Sequence, residues 1–154
     1  LFIALRRKIT MPAFRRQRMV MRAVPVKHRL AQASARGDHG DVLELKARGL
    51  LPLTDLVRVR AIAAGITTPG TQARIAQLLA EEQLSRTDAD RLEGAHRLLA
   101  GLRVRLHADQ LRRGEQPHNH LDPSTLSHAE RTALRDAFRV IREAQKGLMM
   151  DFPT

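Results

Sequence analysis

The chain has 154 residues, a formal net charge of +11 and no cysteine, and aromatic residues make up only 3% of it. This length predicts one domain with a single core, while the composition excludes disulfides and thiolate zinc sites and leaves little material for base-stacking platforms. No apolar run approaches the roughly 20 residues that cross a bilayer, so we expect no membrane partner and, without cysteines, a reducing cytoplasm.

The positive charge is concentrated at the start of the chain. Residues 1–36 hold 10 Lys or Arg residues and no acid. Such a segment can bind phosphate backbones or acidic membrane surfaces, and it fits an acidic partner domain equally well. The first residue is Leu1 and not Met, which indicates a fragment of a longer protein. We therefore predict a basic helical lead-in with a loop at 1–40, followed by a helical bundle at 41–154.

The first elements in chain order belong to the lead-in. Helical composition predicts helices at 2–10 and 13–24, and the turn-forming residues near the end of 25–40 indicate a loop. Apolar and charged residues alternate over 41–46, which is typical of a short extended segment.

Two shorter helices come next. The first is predicted at about 52–64, with Gly65 as its stop, and the second passes through Ile75 and Leu78 to about Gln83. Short connections between the helices favour an up-and-down bundle.

The most regular part of the chain is a helical hairpin between residues 85 and 152. Residues 85–88 cap the first helix, whose apolar residues over 91–113 recur three and four apart. The second helix opens with Ser127 and Glu130 at capping-box spacing and repeats the same pattern. The fold class predicted from all elements is all-α, an up-and-down bundle of about four principal helices.

The loop between these helices, residues 114–123, is rich in residues that end helices. Gly114 ends the first helix, and Pro117 and Pro123 prevent its continuation. We expect Asn119 and Asp122 to cap the loop through bonds from their side chains to the backbone.

Catalytic motifs are weak in this sequence. Nucleotidyl transfer needs paired carboxylates to hold metal ions, and the only Asp-x-Asp, Asp88 and Asp90, stands in the first turn of a helix without a preceding Gly-Ser turn. There is no glycine-rich phosphate loop after a strand. We expect the chain alone not to be an enzyme and to hold no cofactor.

Two groups of polar residues are candidates for binding. His118 and His120 have a spacing that can chelate a metal, but no third ligand follows at a defined distance. Arg103, His107 and Gln110 share one face of the long helix, which is either a solvated face or a cationic wall for phosphate oxygens. Two further basic residues, Lys46 and Arg58, can join that wall.

The residues resemble a family of helical domains found in bacterial proteins that join a cyclic-nucleotide or CBS-pair sensor to a nucleotidyltransferase. Residues 43–59 resemble the segment that follows the catalytic region there, and the second half resembles the carboxy-terminal helical domain. The matching positions in the second half are Arg103, Arg105, Gln110, Gly114, Pro117, Asn119, Pro123, Ser127, Glu130, Arg131 and Gln145.

The resemblance implies a substrate-binding or interaction domain of a modular nucleotidyltransferase in signal transduction. It implies Mg²⁺ and a nucleoside triphosphate for the parent enzyme, and a catalytic domain in the same protein as partner. A protein substrate and a homodimer are left open. The candidate substrate-binding residues are Lys46, Arg58, Arg103, His107, Gln110 and Asn119.

The segment from Lys46 to Leu50 is also similar to an element of the PII uridylyltransferase group. That group has Gly-Gly-Leu-Arg-Asp, whereas this chain has Arg48 for the first Gly, and Leu51 and Pro52 for the Arg and Asp. The alternative function is a free-standing basic module that binds nucleic acid through residues 6–36. Without aromatic anchors we expect such binding to be weak, which makes nucleic acid the less favoured partner.

Overall fold

The computed structural model describes residues 42–151. The helices predicted at 2–10 and 13–24 and the loop that follows them lie outside the described residues. The described part is an all-α bundle, as predicted, with one two-stranded ribbon. In chain order its elements are β1 (Leu43–Glu44), a π-helical turn (Lys46–Leu50), α1 (Leu51–Ala63), α2 (Thr71–Ala80), α3 (Arg86–Arg112), β2 (His120–Leu121), a 3₁₀ turn (Pro123–Thr125) and α4 (His128–Asp151).

The two long helices begin at the caps that the sequence indicates. The Ser85 hydroxyl accepts from the amide of Asp88 at 3.0 Å at the start of α3. Before α4, the Glu130 amide donates to the Ser127 hydroxyl at 3.2 Å, and the Ser127 amide donates to the Glu130 carboxylate at 2.8 Å. This is the predicted capping box, which satisfies two backbone donors that the helix itself cannot.

The ends of α1 and α3 use the two predicted glycines. Gly65 and Gly114 have φ angles of 78° and 74°, which glycine adopts without steric cost. After α3, the Glu115 amide donates to the Gln110 carbonyl at 2.9 Å and the Gly114 amide to the Leu111 carbonyl at 3.0 Å. These two bonds form a Schellman motif, which turns the chain sharply into the loop.

The core lies between α3 and α4, with α1 and α2 packed against them. The two long helices run antiparallel, and two ion pairs join them: Arg91 with Glu143, and Arg105 with Glu130 at 2.5 Å. Their apolar stripes are buried as the spacing predicts. The buried apolar residues of α3 and α4 are Ala89, Leu92, Ala95, Leu99, Leu102, Leu134, Ala137, Phe138, Ile141 and Leu148. No helix of residues 42–151 has the length and apolar character that a bilayer crossing requires.

The extended segment predicted at 41–46 is shorter than expected. Of its described residues, 42–46, Leu43 and Glu44 form a strand, which pairs antiparallel with Leu121 and His120 of β2. The chain then enters a π-helical turn in which the Leu51 amide donates to the Lys46 carbonyl. Pro52 lacks an N–H, so it cannot continue a regular α-helical ladder through this turn.

The π-helical turn comes very close to the core through Gly49. A Cβ atom at this buried position would lie 3.1 and 3.3 Å from the two δ carbons of Leu99 and 3.6 Å from Cζ of Phe138. Leu99 is fully buried, so its methyl groups cannot move without displacing other core side chains. The absence of a side chain at Gly49 therefore sets how closely this turn approaches α3.

We expect Gly49→Ala to lower the free energy of unfolding by about 1 kcal/mol, because the new methyl group overpacks the core against Leu99. Gly101→Ala is the matched control, since Gly101 is an exposed helical residue with no described heavy atom within 4 Å of the added Cβ. There the gain in helix propensity should raise stability by up to about 1 kcal/mol. Urea denaturation of both variants tests this, and equal stabilisation by the two substitutions would contradict it.

A second prediction concerns pH. Hydrogen bonds from the Ser127 backbone and from Arg105 lower the pKa of Glu130 from 4.5 to about 2. A lowered pKa in the folded state means that Glu130 stabilises the fold above pH 4.5 and loses this contribution as the pH falls toward 2. Glu130→Gln should therefore melt below the parent at pH 7, and the difference should shrink over that interval.

Melting temperatures of parent and variant at several pH values between 7 and 2 measure this effect. Asp136→Asn is the control, because it removes an exposed carboxylate whose partner Arg139 lies on the same helix. Such a pair contributes little, so this control should change the melting temperature less at pH 7. A gap between Glu130→Gln and the parent that stays constant to pH 2 would be incompatible with the prediction.

Candidate functional site

Three of the predicted site residues meet where the loop passes over α3. Nε of Arg103 donates to Oδ1 of Asn119 at 2.8 Å, and Nε2 of His107 lies 3.2 Å from the same oxygen. Arg103 and His107 are one turn apart on α3, and all three residues are half-buried. We call Arg103, His107 and Asn119 the Asn119 cluster. It is polar, fixed in position and still open to solvent.

The backbone of Asn119 ties the cluster to a third segment of the chain. Its carbonyl accepts from the Leu45 amide at 2.8 Å, directly after the β1–β2 pair. Lys46 follows Leu45 and is exposed at the start of the π-helical turn. The cluster therefore joins α3, the loop and the segment at the start of the π-helical turn.

The capping role predicted for the loop residues differs between the two positions. Oδ1 of Asp122 accepts from the Ser124 amide at 2.8 Å, as predicted, and hydrogen bonds from the Ser124 side chain and backbone lower the pKa of Asp122. The side chain of Asn119 bonds to side chains of α3 and not to the loop backbone. That expectation for Asn119 was wrong, because the loop folds back onto the helix and brings Arg103 within reach.

Gln110 does not lie on an exposed polar face, although its spacing with Arg103 and His107 suggested one. It is completely buried, and its Oε1 accepts from the His118 amide at 2.9 Å. Its Nε2 lies 3.0 Å from Nδ1 of the His118 ring. Gln110 thus holds the first half of the loop against the end of α3, and its side chain presents no exposed atom to a ligand.

Arg58 lies apart from the cluster in its contacts. Its Nη1 donates to Oδ1 of Asp55 at 2.9 Å, three residues earlier on α1. No hydrogen bond or ion pair within residues 42–151 links Arg58 to Arg103, His107 or Asn119. The described partner of the Arg58 guanidinium is thus Asp55 and not a member of the cluster.

The two loop histidines approach each other, with ring centroids 5.3 Å apart. Nδ1 of His118 faces both the Gln110 amide and the His120 amide, so this nitrogen acts as an acceptor in the structure. Within residues 42–151 no group of three or more His, Cys, Asp or Glu side chains is placed to hold a metal ion.

His96 lies on the flank of α3 that also carries the cluster, seven residues before Arg103. Burial lowers the pKa of His96 and so favours its neutral imidazole. The same flank carries two strongly exposed apolar side chains, Val104 at 69% and Leu111 at 62%. This side of α3 therefore carries both polar and exposed apolar side chains.

Sequence reasoning missed the burial of Gln110 and the contact from the Leu45 amide. Gln110 follows Leu102 and Leu106 at intervals of eight and four, which is the spacing of the apolar stripe. That spacing was a usable signal for its burial. The amide contact has no such signal, because any residue except proline can supply a backbone N–H.

Comparison with known proteins gave one family match. A family model described as "Putative nucleotidyltransferase substrate binding domain" matches residues 16–152. The match begins inside the basic lead-in and includes every residue of the Asn119 cluster. The comparison with curated proteins found no match, and neither did the comparison with solved structures.

We expect Asn119→Ala to lower the free energy of unfolding by on the order of 1 kcal/mol, because the Arg103 guanidinium loses its acceptor and the loop loses a bond to α3. Asn119→Asp keeps an oxygen at the same place and should melt close to the parent. Thermal denaturation of the three proteins measures this. An alanine variant that melts like the parent would show that these bonds do not stabilise the loop.

Proposed function

Because this chain belongs to the family of nucleotidyltransferase substrate-binding domains, we propose that it holds a substrate for a nucleotidyltransferase at the Asn119 cluster. The observation that carries the proposal is the convergence of Arg103 and His107 on Asn119 in a half-buried but accessible position. Polar side chains that are fixed before a ligand arrives bind it with little loss of conformational entropy.

The supporting residues have separate roles in this proposal. Gln110 positions the loop from within the core and does not touch the substrate. Lys46 adds a positive charge at the start of the segment that holds the Asn119 backbone. Arg58 is left out of the site, because its guanidinium is bonded to Asp55 on its own helix.

Catalysis is assigned to another domain. Transfer of a nucleotidyl group needs carboxylates that hold metal ions around the reacting phosphate. Asp88 is engaged with Ser85 in the cap of α3, and Asp90 lies 3.9 Å from Arg86 of the same helix. We therefore place Mg²⁺ and the nucleoside triphosphate in a catalytic partner domain of the parent protein.

The finer function rests on the sequence resemblance to sensor-linked bacterial nucleotidyltransferases. We propose that the parent protein acts in signal transduction, in the manner of PII uridylyltransferases. A protein is one candidate for the molecule that accepts the nucleotidyl group. The alternative of a nucleic-acid-binding module rests on residues 6–36, which lie outside the described residues.

The test uses the full reading frame that encodes these residues and labelled nucleoside triphosphates. Arg103→Ala and Asn119→Ala should raise the KM for the acceptor at least about tenfold with a smaller change in kcat, because a charged hydrogen bond is lost in binding. The matched control is Arg97→Ala on the same helix, whose side chain is 71% exposed and paired with Glu93. It should behave like the parent.

The purified 154-residue chain should incorporate no label in the same assay. Time-dependent incorporation by this chain alone would contradict the assignment of catalysis to a partner domain. An unchanged acceptor KM in both cluster variants would contradict the site.

A further inference from the structure

We propose that the Asn119 cluster takes an oxyanion, a phosphate or carboxylate group of the bound molecule. This inference deepens the proposed function and depends on it, because it names the chemistry of what the same site would hold. It follows from which hydrogen-bonding atoms the cluster uses internally and which it leaves available.

The amide of Asn119 is oriented with its oxygen inward. Nε of Arg103 can only donate, so the atom that faces it at 2.8 Å must be the carbonyl oxygen. The same oxygen also faces Nε2 of His107, and the backbone carbonyl of Asn119 is occupied by the Leu45 amide. Oδ1 of Asn119 thus accepts from Arg103 and lies within hydrogen-bond distance of His107, whereas its Nδ2 has no partner among the described residues.

Arg103 uses only one of its five N–H donors, the one on Nε, to bond Asn119. Its two terminal nitrogens carry four further N–H groups, and within residues 42–151 no acceptor is bonded to them. Their planar fork matches two oxygens of a carboxylate or phosphate.

Arg103 also differs from the other arginines of α3. Each of the other five has an acidic side chain within ion-pair distance, whereas Arg103 has an amide oxygen and no described acid. The five pairs are Arg86 with Asp90, Arg91 with Glu143, Arg97 with Glu93, Arg105 with Glu130, and Arg112 with Asp109. Arg103 is thus a half-buried positive charge on α3 that no described carboxylate neutralises.

The available groups are therefore almost all donors. Asn119 offers its Nδ2 and Arg103 offers its terminal fork, and Lys46, the residue after Leu45, is exposed. Such donors require acceptor atoms on the ligand, and the charge of Arg103, which no described carboxylate neutralises, favours acceptor oxygens that carry negative charge. An oxyanion meets this requirement, and an amine or a purely apolar ligand does not.

The experiment is a titration of the ¹⁵N-labelled 154-residue chain followed by NMR. The probes are inorganic phosphate, ATP without metal, and malonate, with sodium chloride at matched ionic strength as reference. At least one oxyanion should shift the Asn119 side-chain amide and the Arg103 Nε–H signals in a saturable manner, and chloride should not. Stronger binding of ATP or phosphate would point to a phosphate source, and stronger binding of malonate to an acidic acceptor.

Arg103→Lys provides the variant, because it keeps the charge and one donor toward Asn119 but loses the fork. Its affinity for the oxyanion should fall about tenfold, since a bidentate bond becomes monodentate. Arg97→Gln is the matched control and should bind like the parent. Retention of the parent affinity by Arg103→Lys, or equal shifts with chloride, would overturn the inference.

Failure of this inference can be told apart from failure of the proposed function. If no oxyanion binds but transfer by the full-length protein still depends on Arg103 and Asn119, the site holds a substrate of another class. If neither binding nor transfer depends on them, both proposals are wrong.

Discussion

The antiparallel packing of α3 against α4 is the constraint on which the rest of the structure depends. The exposed ion pairs at its two ends contribute little by themselves, because solvent screens them and long side chains must be ordered to form them. Burial of the facing apolar stripes supplies the stabilisation, at roughly 1.5–3 kcal/mol for each large side chain such as Leu99 or Leu134. Once these helices are paired, the ends of the loop between them are fixed in space.

A buried amide then determines how the loop crosses that gap. Proline and glycine limit the conformations of the loop, but they do not attach it to a helix. Gln110 makes that attachment from inside the core, where an unpaired amide would cost more than one exposed to water. The bonded loop conformation is therefore strongly preferred over alternatives, and Asn119 reaches α3 as a result.

The parts of the fold that were predictable are those set by local sequence. The period of the apolar residues in α3 and α4, the capping box at Ser127 and the stops at Gly65 and Gly114 each act within a few residues, so the sequence shows them directly. The π-helical turn was not predictable, since it reflects Pro52 together with the close approach of Gly49 to Leu99. Long-range packing decides such a feature.

The same distinction holds for the site. Helical spacing correctly placed Arg103 and His107 on one side of α3, because that relation is local. Their meeting with Asn119 and the burial of Gln110 depend on how distant segments pack. Residue type alone could name these candidates but could not say which of them touch.

The bond between the Leu45 amide and the Asn119 carbonyl is a long-range contact that forms only in the folded chain, because it joins the first described segment to the loop before the last helix. A molecule that binds at the proposed site would bind only the folded chain and would stabilise that state by mass action. At a concentration one hundred times its dissociation constant, a ligand adds about 2.7 kcal/mol to the free energy of unfolding. Occupancy of the proposed site would in this way be thermodynamically coupled to the resistance of the domain to proteolysis.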